Sequence, residues 1–371
     1  MKKHLCPLLL AALFAAPALA DRVVKIGFAG PLTGPLAHVG KDEEYGARLA
    51  LEDANAQGHA LAGEKLRFEL VAEDDQADPR VATTVAQRLV DGGVVAVVGH
   101  VTSGAAIPAS RIYHQAGVAV ITPSATSPQL TRQNYRETFR LIANDLQQGT
   151  AMAQYAQETL QARRIAVIDD RTAYGQGLAD AFADQAKARG LDVVGREFTH
   201  DKATDFTAIL TKLKAPRPDA IFYGGMDAQA APLLKQMRQL GIPARYLGGD
   251  GLCTAQTLQM AGPALDDRVF CTQAGTPMAR MPGGAAFKTR FEQRFKTPVQ
   301  LYAPYAYDAA TALVRAVAAA GSADPDKLLA ALAGVSFKGI TGPVAFDGRG
   351  DVRQAGVTLY RYGGGGWQPL P

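Results

Sequence analysis

The sequence predicts an α/β fold made of two parallel β-sheets, each covered by helices on both faces. Strand-like and helix-like segments alternate along the chain, and most strand-like segments are continuous apolar runs, as is typical of strands buried on both faces. The strands fall into two series, one before and one after about residue 143. Because parallel neighbours are joined by crossover helices, each series predicts its own doubly wound sheet.

The first series alternates apolar strands with amphipathic helices. Its strands are predicted at Val23–Gly30, Leu66–Ala72, Val94–Gly99 and Val118–Thr122. Its helices are predicted, from the helical spacing of apolar residues, at Glu44–Asn55, Pro79–Val90 and Ala105–Gln115. Asp78 is the expected N-cap of the second helix, because a proline at the first helical position follows it.

The second series begins with a long helix and then alternates in the same way. Its helices are predicted at Leu146–Ala162, Gly177–Ala188, Phe206–Lys214 and Ala230–Leu240. Its strands are predicted at Arg164–Ile168, Val193–Phe198, Ala220–Tyr223 and Tyr246–Gly248. The remainder of the chain has successive helices and then strands, predicted at Ala285–Phe295, Tyr305–Ala320, Lys327–Ala333, Val344–Phe346 and Val357–Tyr362.

Composition restricts the class of protein. Of 371 residues, 47% are hydrophobic and 20% are charged, which supports a sizeable core and excludes a disordered chain or a multi-span membrane protein. The net charge of +4 includes Lys2 and Lys3, which open a segment typical of a secretory signal peptide. An apolar run at Leu8–Ala16 and a small-residue motif predict cleavage after Ala20 and export to the periplasm. The remaining, near-neutral chain gives no indication of nucleic-acid binding.

Two cysteines, Cys253 and Cys271, remain after the predicted cleavage, because Cys6 lies within the signal segment. In an oxidising compartment they most simply form a disulfide, and two separate buried thiols are the alternative. Neither cysteine has histidine or cysteine neighbours at metal-ligand spacing, so no zinc site is expected.

Ligands of open α/β sheets bind beyond the carboxyl ends of the strands, so the residues that follow each strand are candidate binding residues. The turn Thr102-Ser103-Gly104 offers hydroxyl and backbone N–H groups to a small anion, or serves only to cap the next helix. A second hydroxyl-rich turn, 123–128, follows the next strand. Asp250 lies between glycines after a later strand, where a carboxylate suits an ammonium group, although a simple turn aspartate gives the same pattern.

Sequence signatures of catalysis are weak. The chain has no Gly-x-Ser-x-Gly elbow, no His-Glu-x-x-His motif and no Gly-x-x-x-x-Gly-Lys loop. His100 and Ser103 are candidates for part of a hydrolase triad, and Gly175-x-Gly177 lacks the third glycine of a dinucleotide-binding loop. We therefore predict that the protein is not an enzyme and uses no cofactor or metal.

A series of short motifs runs in order through the chain after the signal segment. The motifs are Ile26–Pro35, Gly46-Ala47, Asp74–Pro79, Val97–His100, Ile121–Thr126, Tyr174–Gly177, Tyr223–Gly225 and Gly342–Asp347. Together they resemble the periplasmic branched-chain amino-acid (Leu/Ile/Val) binding proteins of ABC importers. The resemblance implies a type I periplasmic binding fold, in which two doubly wound lobes are joined by a three-stranded hinge and the ligand lies in the cleft between them.

The resemblance also implies where the chain passes between the lobes. The crossings are expected near Ala143, Gln273 and Asp347. The signal peptide is then residues 1–20, lobe 1 is residues 21–142 plus 274–347, and lobe 2 is residues 143–273 plus 348–371.

Residues that hold the main-chain end of an amino acid are carried over from the family motifs. Ser103, Ser124 and Thr126 are expected to hold the ligand's carboxylate, and Asp250 is expected to pair with its α-ammonium group. Tyr174 is expected to contact the same end of the ligand. Asp250 is one methylene shorter than the glutamate that is usual in the family.

Three further positions are expected at the ligand's side chain, namely Tyr302, Val39 and Met226. Valine and methionine replace aromatic residues that are frequent in the family at the last two positions, so the resemblance leaves the side-chain preference open.

The function implied is that of the substrate-binding component of an ABC importer. Such a protein is a monomer that closes on a branched-chain or related apolar L-amino acid and delivers it to a membrane permease. One alternative is a relative that binds an aromatic or amide-type ligand, and Asp250 argues against a plain aromatic acid because it favours a free ammonium group. The alternative from another class is an exported hydrolase.

Overall fold

The first half of the fold is centred on a six-stranded sheet. The computed structural model describes residues 22–61 and 64–371, so the predicted signal peptide lies outside the described residues. The strands are β1 (Arg22–Gly30), β2 (His59–Leu61), β3 (Glu64–Asp74), β4 (Ala96–Gly99), β5 (Ala119–Thr122) and β6 (Thr138–Arg140). They lie in the order β2-β3-β1-β4-β5-β6, and only the β2–β3 pair is antiparallel.

A seven-stranded sheet forms the centre of the other half. The next strands along the chain are β7 (Arg164–Asp169), β8 (Asp192–Phe198), β9 (Ala220–Gly224), β10 (Arg245–Gly248) and β11 (Val269–Gln273). A separate ribbon follows, made of β12 (Ser336–Lys338) and β13 (Pro343–Ala345), before β14 (Thr358–Gly363) and β15 (Gly366–Pro369). The order in the sheet is β15-β14-β11-β10-β9-β7-β8, and the last two strands of the chain form an antiparallel edge on an otherwise parallel sheet.

Helices cover both sheets. In chain order they are α1 (Ala37–Gln57), α2 (Pro79–Asp91), α3 (Ser103–Ala116), α4 (Gln129–Arg132), α5 (Asp145–Glu158), α6 (Ala173–Ala188), α7 (Thr207–Lys214), α8 (Asp227–Gln239), α9 (Ala255–Ala261), α10 (Gly284–Phe295), α11 (Ala303–Ala320) and α12 (Pro325–Ala333). Among the described residues no helix combines the length and the apolar character needed to cross a bilayer.

The hydrophobic cores follow from the alternation of side chains along each strand. In β4, Val98 joins α1, α11 and α12 in the core on one face of the six-stranded sheet, whereas Val97 joins α2 and α3 on the other face. The seven-stranded sheet has α5 and α6 on one face and α7, α8 and α9 on the other. We call the six-stranded sheet with α1–α4 and α10–α12 the first lobe, and the seven-stranded sheet with α5–α9 the second lobe.

The predicted pair of doubly wound parallel sheets is confirmed, and the main difference lies in where helices begin. Predicted starts at Glu44, Gly177 and Ala230 are late, because α1, α6 and α8 begin at Ala37, Ala173 and Asp227. Their first turns contain polar or small residues, such as His38, Gly175 and Gln229, which interrupt the apolar spacing that marks a helix in the sequence. Strands β2, β6, β11, β12 and β15 and the short helices α4 and α9 were not predicted, because short segments carry little periodic signal.

Candidate ligand-binding site

A cavity lies between the two lobes, at the carboxyl ends of their strands. The residues that line it from the first lobe are Leu36, Val39, Val101, Thr102, Ser103, Ser124 and Tyr302. Those from the second lobe are Tyr174, Met226, Asp227, Asp250, Gly251 and Thr254. Strand order reverses between β1 and β4 in one sheet and between β7 and β9 in the other, and such reversals are where open α/β sheets form crevices for ligands.

The structure brings most of the predicted binding residues to this cavity. Seven of the eight line it, namely Val39, Ser103, Ser124, Tyr174, Met226, Asp250 and Tyr302. Thr126 is fully buried but is not part of the cavity wall. The roles assigned to these residues in ligand binding stay predictions.

Asp250 is held by hydrogen bonds from both lobes. Its Oδ1 accepts from Gln148 Nε2 at 3.0 Å and from the Tyr174 hydroxyl at 2.7 Å, and its Oδ2 accepts from the Tyr302 hydroxyl. The Tyr174 hydroxyl in turn accepts from the backbone N–H of Gly251 at 2.9 Å. Glycine is required beside Asp250, because a Cβ at Gly249 would lie 2.9 Å from the Tyr174 oxygen.

This arrangement leaves Asp250 able to accept one more hydrogen bond. A carboxylate has about four lone-pair sites, and the three donors above use both sites of Oδ1 and one of Oδ2. The free site on Oδ2 suits an N–H of a cation. Among the described residues that line the cavity there is no lysine or arginine, so no side chain of the wall competes for that site.

Three serine and threonine side chains of the first lobe line the same cavity as Asp250, and their hydrogen bonds differ from one another. Ser124 Oγ donates to the Val101 carbonyl at 2.9 Å, so its proton is already used. Ser103 Oγ accepts from the Ser127 N–H at 3.1 Å and keeps its own proton for a ligand. Thr102 Oγ1 is buried and, within the described ranges, has no hydrogen-bond partner.

Thr102 lines the cavity, and its turn was predicted either to bind a small anion or only to cap the next helix. It is the N-cap residue of α3, but its side chain makes no capping hydrogen bond. The expectation of a simple cap is therefore wrong for Thr102, and the hydroxyl is left for another partner. With Ser103 at the helix N-terminus, it forms a donor pair suited to a carboxylate.

Thr126 lies near a second buried acid, Asp145, at the start of α5. Burial raises the pKa of Asp145 to about 8, the charge of Asp250 adds to the effect, and Thr126 and Arg140 only partly oppose it. Neither carboxylate oxygen of Asp145 has a hydrogen-bond partner in the described part of the chain. Asp145 and Gln148 lie behind the cavity wall and were not predicted. Both belong to the first turn of α5, which was predicted to begin at Leu146, whereas the candidate residues were sought after strands.

An ion pair joins the lobes beside the cavity. His38 Nε2 of α1 lies 2.9 Å from Asp227 Oδ2 of α8, and His38 Nδ1 lies 3.1 Å from the carbonyl oxygen of Pro35. Both ring nitrogens thus face acceptors, which favours the doubly protonated imidazolium. Burial opposes the charge, but Asp227, Pro35 and Asp42 together raise the pKa of His38 above 6.5.

His100 has partners on both ring nitrogens away from the cavity. Its Nδ1 lies 2.6 Å from Asp75 Oδ2 and its Nε2 lies 3.0 Å from the Tyr113 hydroxyl, in a fully buried cluster. Ser103, the proposed nucleophile, is instead hydrogen-bonded to the Ser127 backbone. The geometry therefore gives no support to a hydrolase triad of His100 and Ser103.

The loop that carries Asp250 is tied to the neighbouring strand by a disulfide. Cys253 follows Asp250 by three residues, Cys271 lies in β11, and the two Cα atoms of the bonded pair are 5.6 Å apart. The bridge closes a short loop, with a sequence separation of 18 residues. It thereby restricts the loop on which the cavity acid is mounted.

We expect the double substitution Cys253→Ala/Cys271→Ala to lower the free energy of unfolding by about 3 kcal/mol, as the chain-entropy model gives for a loop of this length. Urea unfolding with and without a thiol reductant measures the effect. The reductant should bring the wild type to the level of the double variant and leave the variant unchanged. Equal stability of both proteins in the absence of reductant would contradict the prediction.

Comparison with known proteins gives matches over nearly the whole chain. The sequence model of a family described as periplasmic binding protein matches residues 23–366. The leucine-, isoleucine-, valine-, threonine- and alanine-binding protein of Pseudomonas aeruginosa is 34% identical, covering 94% of this chain and 92% of its own. Another protein of that organism, named amino acid binding protein, is 37% identical, covering 93% and 91%.

Solved structures also match nearly the whole chain. A leucine-binding protein of Thermotoga maritima superposes with a TM-score of 0.86 at 27% identity, over 94% of this chain and 98% of its own. A branched-chain amino acid transporter substrate-binding protein of Streptococcus pneumoniae, solved in complex with isoleucine, gives a TM-score of 0.84 at 28% identity, over 94% and 100%.

Proposed function

The chain belongs to the periplasmic binding protein family, and on this basis we propose that it binds a branched-chain or related apolar L-amino acid between its lobes. Leucine, isoleucine and valine are the proposed ligands, supported by the names of its relatives and by the bound isoleucine of a similar structure. The protein is proposed to act in the periplasm as a monomer, after cleavage behind Ala20, and to deliver its ligand to the permease of an ABC importer.

The observation that carries this proposal is that one lobe offers the cavity a carboxylate acceptor and the other lobe offers it hydroxyl donors. Asp250 of the second lobe has one free acceptor site, and the hydroxyl groups of Thr102 and Ser103 of the first lobe are free to donate. An α-amino acid has an ammonium group and a carboxylate that match these two ends. Each charged hydrogen bond contributes about 1.5–3 kcal/mol, so a few of them with one buried side chain account for binding in the micromolar range or tighter.

Binding is proposed to proceed by closure of the lobes. The groups that recognise the two ends of the ligand belong to different lobes, so the full set of contacts forms only in the closed arrangement, and the ligand shifts the population toward it. The lobe boundaries proposed for this motion are those implied by the family resemblance, with residues 21–142 and 274–347 moving against residues 143–273 and 348–371.

The remaining wall of the cavity supports an aliphatic ligand side chain. Leu36 and Val39 contribute from the first lobe and Met226 from the second. Valine is small and methionine is flexible, so Val39 and Met226 leave more room for a ligand side chain than aromatic residues at these positions would.

Binding of leucine analogues to residues 21–371 tests the proposal. Leucine, isoleucine and valine are expected to raise the melting temperature and to bind in calorimetry. Two matched analogues isolate the ends of the ligand, because 4-methylpentanoate lacks the ammonium group and 3-methylbutylamine lacks the carboxylate. Both should bind at least about a hundredfold more weakly than leucine. Leucine binding no tighter than 4-methylpentanoate, or no binding of any branched-chain amino acid, would contradict the proposal.

The pair His38–Asp227 predicts that ligand affinity falls as the pH rises. The pKa of His38 is raised in this structure, where its ring meets Asp227 of the other lobe. The stability that this contact adds is therefore fully present below the ordinary pKa of 6.5 and is lost as the pH rises through the raised pKa. Leucine affinity should therefore fall several-fold between pH 6 and pH 8.5, because the His38 ring loses its proton over this range. The measurement compares the wild type with His38→Gln across that range, and parallel pH profiles of the two proteins would count against the prediction.

A further inference from the structure

We propose that Asp227 is a second recognition residue of the cavity, which accepts a hydrogen bond from the side chain of the ligand. A relative is named for binding threonine as well as leucine, isoleucine and valine, and Asp227 is the residue that we infer would recognise such a side chain, which has branched-chain size and a neutral hydrogen-bond donor. This inference rests on the proposed function, since it concerns the side-chain end of the same amino-acid site.

Asp227 has one occupied and one unoccupied carboxylate oxygen. Its Oδ2 accepts from the Thr254 hydroxyl at 2.7 Å and lies 2.9 Å from His38 Nε2. Its Oδ1 is buried and has no hydrogen-bond partner anywhere in residues 22–61 and 64–371. The side chain is 2% exposed, and Asp227 forms part of the cavity wall.

The neighbours of Asp227 separate it from the acid expected to hold the ammonium group. Asp250 is surrounded by Gln148, Tyr174 and Tyr302, whereas Asp227 is contacted by His38 and Thr254. The two carboxylates therefore have separate sets of partners. Asp227 also follows Met226 directly, and methionine belongs to the part of the wall that suits an aliphatic side chain.

A purely aliphatic ligand would leave this oxygen buried without a donor. An unpaired buried acceptor costs free energy, whereas a hydrogen bond to a charged group is favourable. The donor should be neutral, because His38 already faces the carboxylate with a ring that favours the protonated form. Threonine is the sharpest probe of this idea, since it has the shape of valine with a hydroxyl in place of one methyl group.

The test compares dissociation constants for valine, threonine and leucine by calorimetry. In the wild type, threonine should bind at least as tightly as valine. In Asp227→Leu, which keeps the side chain's size and removes the acceptor, the ratio of the threonine constant to the valine constant should rise by about tenfold or more. The matched control is His38→Gln, which breaks the same ion pair from the other side and should weaken both ligands while leaving their ratio unchanged.

A comparison between ligands gives a second readout that needs no substitution. O-methylserine has the same atoms as threonine but no side-chain donor, so the wild type should bind it at least about tenfold more weakly than threonine. A wild-type preference for valine over threonine, an equal affinity for threonine and O-methylserine, or an unchanged ratio in a folded Asp227→Leu protein would each overturn the inference. If leucine binds in any of these cases, the proposed function stands, whereas loss of all binding by the wild type would overturn both.

Discussion

The Asp250→Ala protein is expected to stay folded and to lose measurable affinity for leucine. The substitution removes the acceptor for the ligand's ammonium group and also the acceptor shared by Gln148, Tyr174 and Tyr302. Loss of a charge-assisted hydrogen bond of about 3 kcal/mol alone weakens binding by more than a hundredfold. Titration calorimetry with leucine, at protein concentrations that detect millimolar binding, measures the change.

Two controls separate recognition from folding in this experiment. Asp250→Asn keeps an oxygen that can accept from Tyr174 and Gln148, loses the acceptor for Tyr302 and loses the negative charge, so it should fold and still bind leucine far more weakly than the wild type. Asp184→Ala removes an exposed acid from α6 and should bind leucine as the wild type does. Unchanged leucine affinity in Asp250→Asn would refute the assignment of this residue to the ammonium group.

The Asp145→Asn protein is expected to be more stable than the wild type at neutral and alkaline pH. The pKa of Asp145 is raised from 3.8 to about 8, first by burial and then by the charge of Asp250. A carboxyl group whose pKa is higher in the folded than in the unfolded protein makes its full contribution to stability at pH values below the unfolded-state pKa. This contribution is lost as the pH rises through the folded-state pKa. Asparagine does not titrate, so its advantage should grow from pH 4 to pH 8 and reach a few kcal/mol.

Urea unfolding of the two proteins at pH 5, 7 and 8.5 tests this dependence. The other buried acids, such as Glu43 and Asp308, are present in both proteins and cancel in the difference. Asp184→Asn is the matched control, because the residue is exposed and its substitution should give a difference that does not vary with pH. A constant difference between Asp145→Asn and the wild type over this range would show that Asp145 does not titrate as described.

The family and the two-sheet architecture were predictable because they depend on local patterns. Apolar runs identify the central strands, and motifs such as Tyr174–Gly177 carry the family resemblance; both predictions are confirmed. The N-cap at Asp78 is also confirmed, since its side chain accepts from the backbone N–H groups of Arg80 and Val81. These features depend on residues close together in the chain, which is why sequence spacing reveals them.

The detail of the cavity was less predictable because it depends on contacts between distant residues. His38 meets Asp227 across 189 positions, and Gln148 meets Asp250 across 102. The free hydroxyl of Thr102 depends on the absence of a capping bond that its sequence context predicts. Hydrogen-bonded partners of this kind leave no periodic signal, so the sequence indicates the strand ends but not which polar groups there are already paired.

The chain leaves the first lobe after β6 and returns to it for α10, α11 and α12, and this order determines when that lobe is completed during synthesis. Its sheet is finished by Arg140, yet α11 and α12, which cover one face of that sheet, lie at Ala303–Ala320 and Pro325–Ala333. Every strand of that sheet is therefore made before two of the three helices that cover this face, since only α1 is made earlier. Until the ribosome has added about two hundred further residues, an apolar surface stays uncovered, and a growing chain of this design benefits from a partner that delays aggregation.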